Sequence, residues 1–207
     1  MKSESSTAMD IHVSRETDER LARFGQLLVK WNRSINLVAP SSLTDLKTRH
    51  IADSLQLLAY APDAARRWLD LGSGGGLPGL VVAIGARETR PDLRVVLVDS
   101  DRRKCAFLRE AARELAPETQ VIQGRIEDLQ PQEADVISAR ALAPLPELFG
   151  LAVAHLAPQG VCLFLKGQRA ADEIAAARAE WFFQVETQPS QTDPLASVLK
   201  ISGLAHA

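Results

Sequence analysis

The sequence predicts an α/β protein: a Rossmann-like, mostly parallel seven-stranded sheet with a helical cap on its N-terminal side. Three observations carry this prediction. From residue 66 onward, apolar strand-like runs alternate with helical patterns, the signature of parallel strands joined by crossover helices. The stretch from Arg67 to Leu80 reads as a short buried strand, a glycine-rich turn and the start of a helix. This is how such a sheet builds a nucleotide pocket at the carboxyl end of its first strand. The first 60 or so residues, by contrast, show helical patterns only.

The elements follow in order. Residues 14–33 form an amphipathic helix: Ser14 can cap it, Glu16, Asp18 and Glu19 suit its positive end, and Leu21, Phe24, Leu28 and Trp31 make a packing stripe. Further helical patterns cover about 42–48 and 49–60, the latter carrying Ile51, Leu55, Leu57 and Leu58. His50 and Asp53 lie one helical turn apart there, spacing that serves a local hydrogen bond more often than catalysis. Strand one is predicted at 67–71 and its helix at about 78–88, where Pro78 suits a first turn. Strand two, 93–99, is apolar on both faces, as an interior parallel strand should be. A helix over about 101–115, strand three at 120–123 and strand four at 134–138 follow. Pro144 and Pro146 open a helix to about 156, Pro158-Gln159-Gly160 makes a turn, and strand five is 161–165. A helix over about 170–180 and strands at about 181–187 and 196–202 complete the set.

Size and composition narrow the classes. With 207 residues, 46% apolar, the chain suits one compact unit. It divides into a disordered tail (1–13), a cap (14–62) and a sheet domain (63–207). No run is long enough to span a bilayer, and Met1 to Val13 lacks the apolar stretch of a secretory signal. Cys105 and Cys162 sit in apolar patterns without metal-ligand spacing, and the four histidines form no zinc motif. Buried thiols in a reducing cytoplasm are therefore expected, with no metal. A net charge of −2 is not that of a general nucleic-acid binder, so any RNA site is a local basic patch.

Gly74-x-Gly76-x-x-Gly79 matches the dinucleotide fingerprint by letter, but the strand runs first into Asp70-Leu71-Gly72. A carboxylate two places before the first glycine would repel the pyrophosphate of NAD and favour the cationic S-adenosyl-L-methionine. Past strand two, Asp99 can accept hydrogen bonds from both ribose hydroxyls of either cofactor, or cap the next helix. Past strand three, Ile126 and Glu127 are placed to cover an adenine ring. Arg140, past strand four, offers a fork of donors to a carboxylate, phosphate or base oxygen, and Lys166 offers a point charge past strand five. No Asn-Pro-Pro-Tyr-type tetrapeptide follows strand four, and no cysteine stands where methylation at carbon needs a nucleophile. Transfer to an atom already carrying a lone pair remains, and guanine N7 is one. N7 has no proton to lose, so catalysis there is positioning and electrostatics. In an A-form helix that edge is too deep to reach, so the target should be an unstacked base in a loop.

The ordered set Trp31-Asn32, Asn36-Leu37, His50 to Ser54, Asp70 to Gly79, Leu97 to Ser100, Ser138 to Ala141 and Leu165 to Gly167 resembles the bacterial 16S ribosomal RNA guanine-N7 methyltransferases, the glucose-inhibited division protein B family, over residues 21–168. The resemblance implies a class I S-adenosylmethionine-dependent methyltransferase fold. It also implies S-adenosyl-L-methionine as donor and a guanine in the 530 loop of 16S rRNA, free or in the 30S subunit, as acceptor. By position it implies cofactor contacts at Gly72, Gly74, Leu77, Asp99, Ser100, Ile126, Glu127 and Arg140, with Arg140 and Lys166 as the catalytic candidates. RNA contacts would come from a basic rim, for which Lys30, Arg33, His50, Arg102, Arg103, Lys104 and Lys166 are candidates. A cytoplasmic monomer with no DNA or membrane partner is expected. Three features depart from the family: the long linker Gly85 to Arg90, Asp101 in place of an apolar residue, and a C-terminal segment, Pro194 to Ala207, poor in basic residues. Two alternatives stay open: a small-molecule or protein methyltransferase on the same scaffold, and a non-catalytic rRNA-binding factor.

Overall fold

The computed structural model describes residues 13–40, 43 and 46–207, with the backbone alone at 47–49. Residues 1–12 of the tail expected over 1–13, and 42, 44 and 45 of the helix expected over 42–48, therefore lie outside the described residues, whereas Val13 packs against the core. Helix α1, Arg15–Asn32, starts where Ser14 Oγ accepts the Thr17 amide at 3.1 Å. Leu21, Phe24, Leu27 and Leu28 are buried on its inner face, and Trp31 donates from Nε1 to Glu110. A π-helical segment, Leu46–Ile51, runs into two short helices, α2 (Ala52–Leu55) and α3 (Leu57–Tyr60). The single helix expected over 49–60 is interrupted at Gln56, whose buried amide is engaged by Asp53 and by the Gln191 backbone.

Seven strands follow: β1 (Arg67–Leu71), β2 (Arg94–Asp99), β3 (Gln120–Gln123), β4 (Ala134–Arg140), β5 (Leu156–Lys166), β6 (Trp181–Pro189) and β7 (Ser197–His206). The helices between them are α4 (Gly79–Thr89), α5 (Arg102–Leu115), α6 (Leu145–Val153) and α7 (Ala170–Ala177). The strand order is β3-β2-β1-β4-β5-β7-β6; β7 runs antiparallel to both its neighbours and the other pairings are parallel. The order reverses direction beside β1, so β1, β2 and β4 frame the crevice at their carboxyl ends.

Strand alternation sorts the core into two layers. Trp68, Leu97, Val136 and Leu163 face α1, α4 and α5 in one continuous apolar cluster. Leu69, Leu71, Val98, Ile137 and Phe164 face the other way, toward α6, α7 and the rings of Phe149, Trp181 and Phe183. The turn expected at Pro158-Gln159-Gly160 is instead part of β5. Ala134 pairs with Leu156 and Val136 with Val161, so Asp135 alone on β4 stands opposite the four residues 157–160 of β5, a bulge.

Candidate active site

The turn after β1 is held from below and from the side. Ser73 N–H donates to the Val98 carbonyl at 2.9 Å, and Ser73 Oγ to the Asp70 carbonyl at 3.0 Å. Gly72 adopts φ +64°, a left-handed conformation that costs other L-residues about 1–2 kcal/mol. Asp99 locks the turn to the end of β2: Oδ2 accepts the Gly74 amide and Oδ1 the Asp101 amide, both at 2.8 Å. Each carboxylate oxygen has a second lone pair, so Asp99 can still accept ligand hydroxyls. Asp101, one of the departures noted above, caps α5 by accepting the Arg103 and Lys104 amides.

Asp70 corrects the sequence reading. Alternation puts it on the same face as Trp68, beneath the start of α4, fully buried, and none of the cavities at the turn is lined by it. Gly79 presses on it: a Cβ at Gly79 would stand 2.5 Å from both Asp70 Cβ and Oδ2. Oδ1 accepts from Ser138 Oγ at 2.6 Å, and that oxygen in turn accepts from Trp68 Nε1 at 2.8 Å. Burial pushes the Asp70 carboxyl up to about 6, against the opposing hydrogen bond from Ser138. Asp70 therefore supports the turn rather than facing a cationic ligand.

Two cavities flank Gly72. One, about 320 Å³, is lined by Gly72, Asp99, Ser100, Ile126 and Glu127, with Leu142 and Leu151 as apolar wall. The other, about 310 Å³, is lined by Leu37, His50, Gly72, Ser73, Gly74 and Leu77. Lys104, Arg140 and Ala141 border both. Between them the Leu142 side chain lies over the turn, 2.6 Å from where a Cβ at Gly72 would be. A third cleft, about 390 Å³, opens on the far side of Arg140 and Ala141 and is walled by residues after β4, after β5 and from the β6–β7 turn.

The predicted residues separate accordingly. Gly72, Gly74, Leu77, Asp99, Ser100, Ile126, Glu127 and Arg140 come together around the two flanking cavities. The Ile126 carbonyl is engaged by His155 Nε2 at 3.0 Å, while Glu127 pairs with Arg125. Arg140 ends β4 rather than following it, and its Nη2 donates to His50 Nδ1. A guanidinium only donates, so His50 meets it as a neutral acceptor. Lys166 is not an open cation on the rim: its Nζ lies 2.7 Å from Glu173 Oε2 and 2.7 Å from the Ala143 carbonyl. Among the basic candidates, Lys104 borders the cofactor-sized cavities, whereas Arg102 and Arg103 are exposed on α5 away from them. Lys30 and Arg33 line a separate groove along α1 with Leu21, Val29 and Leu46. Asp53 Oδ1 accepts from Gln56 Nε2 and from Ser190 Oγ, bolting α2 to the β6–β7 turn.

The sequence reading singled out neither Leu142, which lies over the turn, nor Arg169, which lines the third cleft. The placement of Leu142 depends on Ala141 at φ +51°, which no residue-type signal announces. Cys105 and Cys162 are both buried and unbridged, and burial pushes both thiols up. Among the described residues no group of histidine, cysteine and carboxylate side chains could hold a metal, and no helix is long and apolar enough to cross a membrane.

Comparison with known proteins accords with this geometry. A family model described as rRNA small subunit methyltransferase G matches residues 17–195. A protein of Cereibacter sphaeroides named ribosomal RNA small subunit methyltransferase G is 53% identical over 201 residues, spanning 97% of this chain and 98% of that one. One of the same name from Paracoccus denitrificans is 52% identical over 196 residues, spanning 94% and 99%. Among solved structures, an O-methyltransferase from Bacillus cereus in complex with SAH superimposes with a TM-score of 0.61 at 17% identity, covering 89% of this chain and 91% of that one. A methyltransferase from Geobacter sulfurreducens gives 0.58 at 14%, covering 89% and 88%. At such identities the structural likeness establishes the shared methyltransferase fold.

Proposed function

Because the chain belongs to the rRNA small subunit methyltransferase G family, we propose that it methylates N7 of a guanine in the 530 loop of 16S rRNA. At the coarser level it is an rRNA methyltransferase that uses S-adenosyl-L-methionine. The donor fits the two cavities that meet at Gly72. Asp99 retains lone pairs for ribose hydroxyls, Ile126, Leu142 and Leu151 offer apolar surface for an adenine, and the Gly72–Gly75 turn leaves room for the amino-acid end. Bound there, the donor supplies an electrophilic methyl group on sulfonium.

The observation that carries the proposal is the shared wall. Arg140 and Ala141 border both donor cavities and the third cleft, so donor and acceptor sites meet at a single arginine. The Arg140 guanidinium, fixed by a neutral His50, can orient an acceptor oxygen such as guanine O6 or a phosphate. It cannot act as a base at neutral pH, and N7 needs none. Lys166, held by Glu173, acts by placing the Ala143 carbonyl and the loop after β4.

Purified protein, labelled donor, and unmodified 16S rRNA or 30S subunits test this. Borohydride reduction and aniline scission, which cut at N7-methylguanine, should give one stop in the 530 loop. A stop elsewhere, or label in protein, refutes the assignment.

A further inference from the structure

We propose that His155 is a positioning residue for the methyl donor: its buried imidazole holds the Arg125–Glu127 turn that walls the adenosine side of the donor site, and so sets affinity and base selectivity there. This rests on the donor placement proposed above. His155 is only 2% exposed. Its backbone joins two elements. The amide donates to the Ala152 carbonyl in the last turn of α6 at 2.9 Å, and the carbonyl accepts the Ala134 amide at the start of β4 at 2.8 Å. The ring therefore leaves from a fixed base, and its Nε2 lies 3.0 Å from the Ile126 carbonyl.

The turn needs that support. Arg125, Ile126 and Glu127 together line the cavity of about 320 Å³ that Gly72, Asp99 and Ser100 also line. Most hydrogen bonds of the turn are its own. Asp128 N–H donates to the Arg125 carbonyl and Leu129 N–H to the Ile126 carbonyl, both at 3.2 Å, and Arg125 pairs with Glu127. Among the described residues, the bond from His155 is the one that ties Arg125–Leu129 to another element. The Ile126 side chain packs into the second core layer. Apolar burial is non-directional, so that packing fixes the depth of the residue and not the aim of its backbone. A hydrogen bond weakens steeply when it leaves its line, so the imidazole fixes the aim.

The other ring nitrogen adds an independent observation. A carbonyl only accepts, so Nε2 carries the hydrogen. Nδ1 is buried with no hydrogen-bond partner among the described residues, a cost that a leucine in this place would not carry. What the imidazole offers and an apolar side chain does not is the one N–H aimed at Ile126. A turn that drifts without it is felt at the base of the donor rather than at its amino-acid end, which occupies the other cavity beside Leu37 and Leu77.

Two variants and one wild-type signal test this. Glutamine carries its amide nitrogen at the same reach from Cβ as imidazole Nε2, whereas that of asparagine stops one bond short. His155→Asn should weaken calorimetric binding of S-adenosylhomocysteine about tenfold. Its preference for that ligand over S-inosylhomocysteine, in which hypoxanthine replaces adenine, should shrink. His155→Gln should restore both. In the wild type, the NMR signal of His155 Nε2–H should move when S-adenosylhomocysteine is added, a readout that needs no variant to fold. Wild-type affinity in His155→Asn, equal weakening in both variants, or an Nε2–H signal indifferent to the ligand overturns the assignment, and a lowered thermal midpoint with unchanged affinity does so too. Binding needs no RNA, so these outcomes stand apart from which nucleotide is methylated. A wild type that binds no S-adenosylhomocysteine refutes the donor placement and this role together; a wild type that binds it no better than His155→Asn refutes this role alone.

Discussion

Asp70 gives a stability prediction with a definite sign. Its carboxyl is fully buried, Oδ2 has no hydrogen-bond partner by geometry among the described residues, and Asp99 adds a repulsive charge nearby. The ordinary value of 3.8 rises to about 6 in the fold. Between those two values the folded protein holds a proton that the unfolded chain has released. Stability from this group is therefore fully present below pH 3.8 and lost as pH rises to about 6. The shift corresponds to about 3 kcal/mol across the window, of which about 1.4 kcal/mol falls between pH 5 and 7.5. Asp70→Asn does not titrate, and its oxygen can still accept from Ser138. Urea unfolding of both proteins at pH 5, 6, 6.5 and 7.5 should show the variant gaining about 1.4 kcal/mol on the wild type from the lowest to the highest pH, whatever its absolute stability. A stability difference that stays constant over those pH values refutes a buried, titrating Asp70.

Two further outcomes follow from contacts described above. Gly72→Ala forces an L-residue into φ +64° and its Cβ toward Leu142; it should cost about 1–2 kcal/mol in urea unfolding and weaken S-adenosylhomocysteine binding at least tenfold by calorimetry. Ser190→Ala removes the donor to Asp53 and the acceptor of the Thr192 and Asp193 amides; a loss of about 1–3 kcal/mol is expected as a lower urea midpoint at unchanged slope.

Much of this layout was legible because local rules and global fold agree. The limits of β1 and β3 match the predicted ones, and Ser14 caps α1 as expected, since short strand-like runs and capping chemistry act within a few residues. The Asp70 reading failed although the signal was present: two residues after Trp68, it had to share Trp68's buried face, and the weight given to a motif letter overrode that alternation. The β5 bulge was missed because Pro158 and Gly160 normally punctuate. Pairing of Ala134 with Leu156 keeps the strand going past them. The neutralised Lys166 was not legible either, because its partner comes from the next helix, through a loop whose path depends on tertiary packing.

The strand order also constrains biosynthesis. β7 is the last strand of the sheet, yet it is threaded between β5 and β6 rather than added at a margin. A nascent chain that has not yet produced Ser197–His206 leaves one side of β5 bare, with Leu163, Phe164 and Leu165 beside unsatisfied amides. Such an edge invites aggregation. The strands flanking the glycine turn can pair before β7 exists, whereas the cleft bordered by the β6–β7 turn cannot close until it does, so a prematurely terminated product would carry the proposed donor turn beside an incomplete proposed acceptor site.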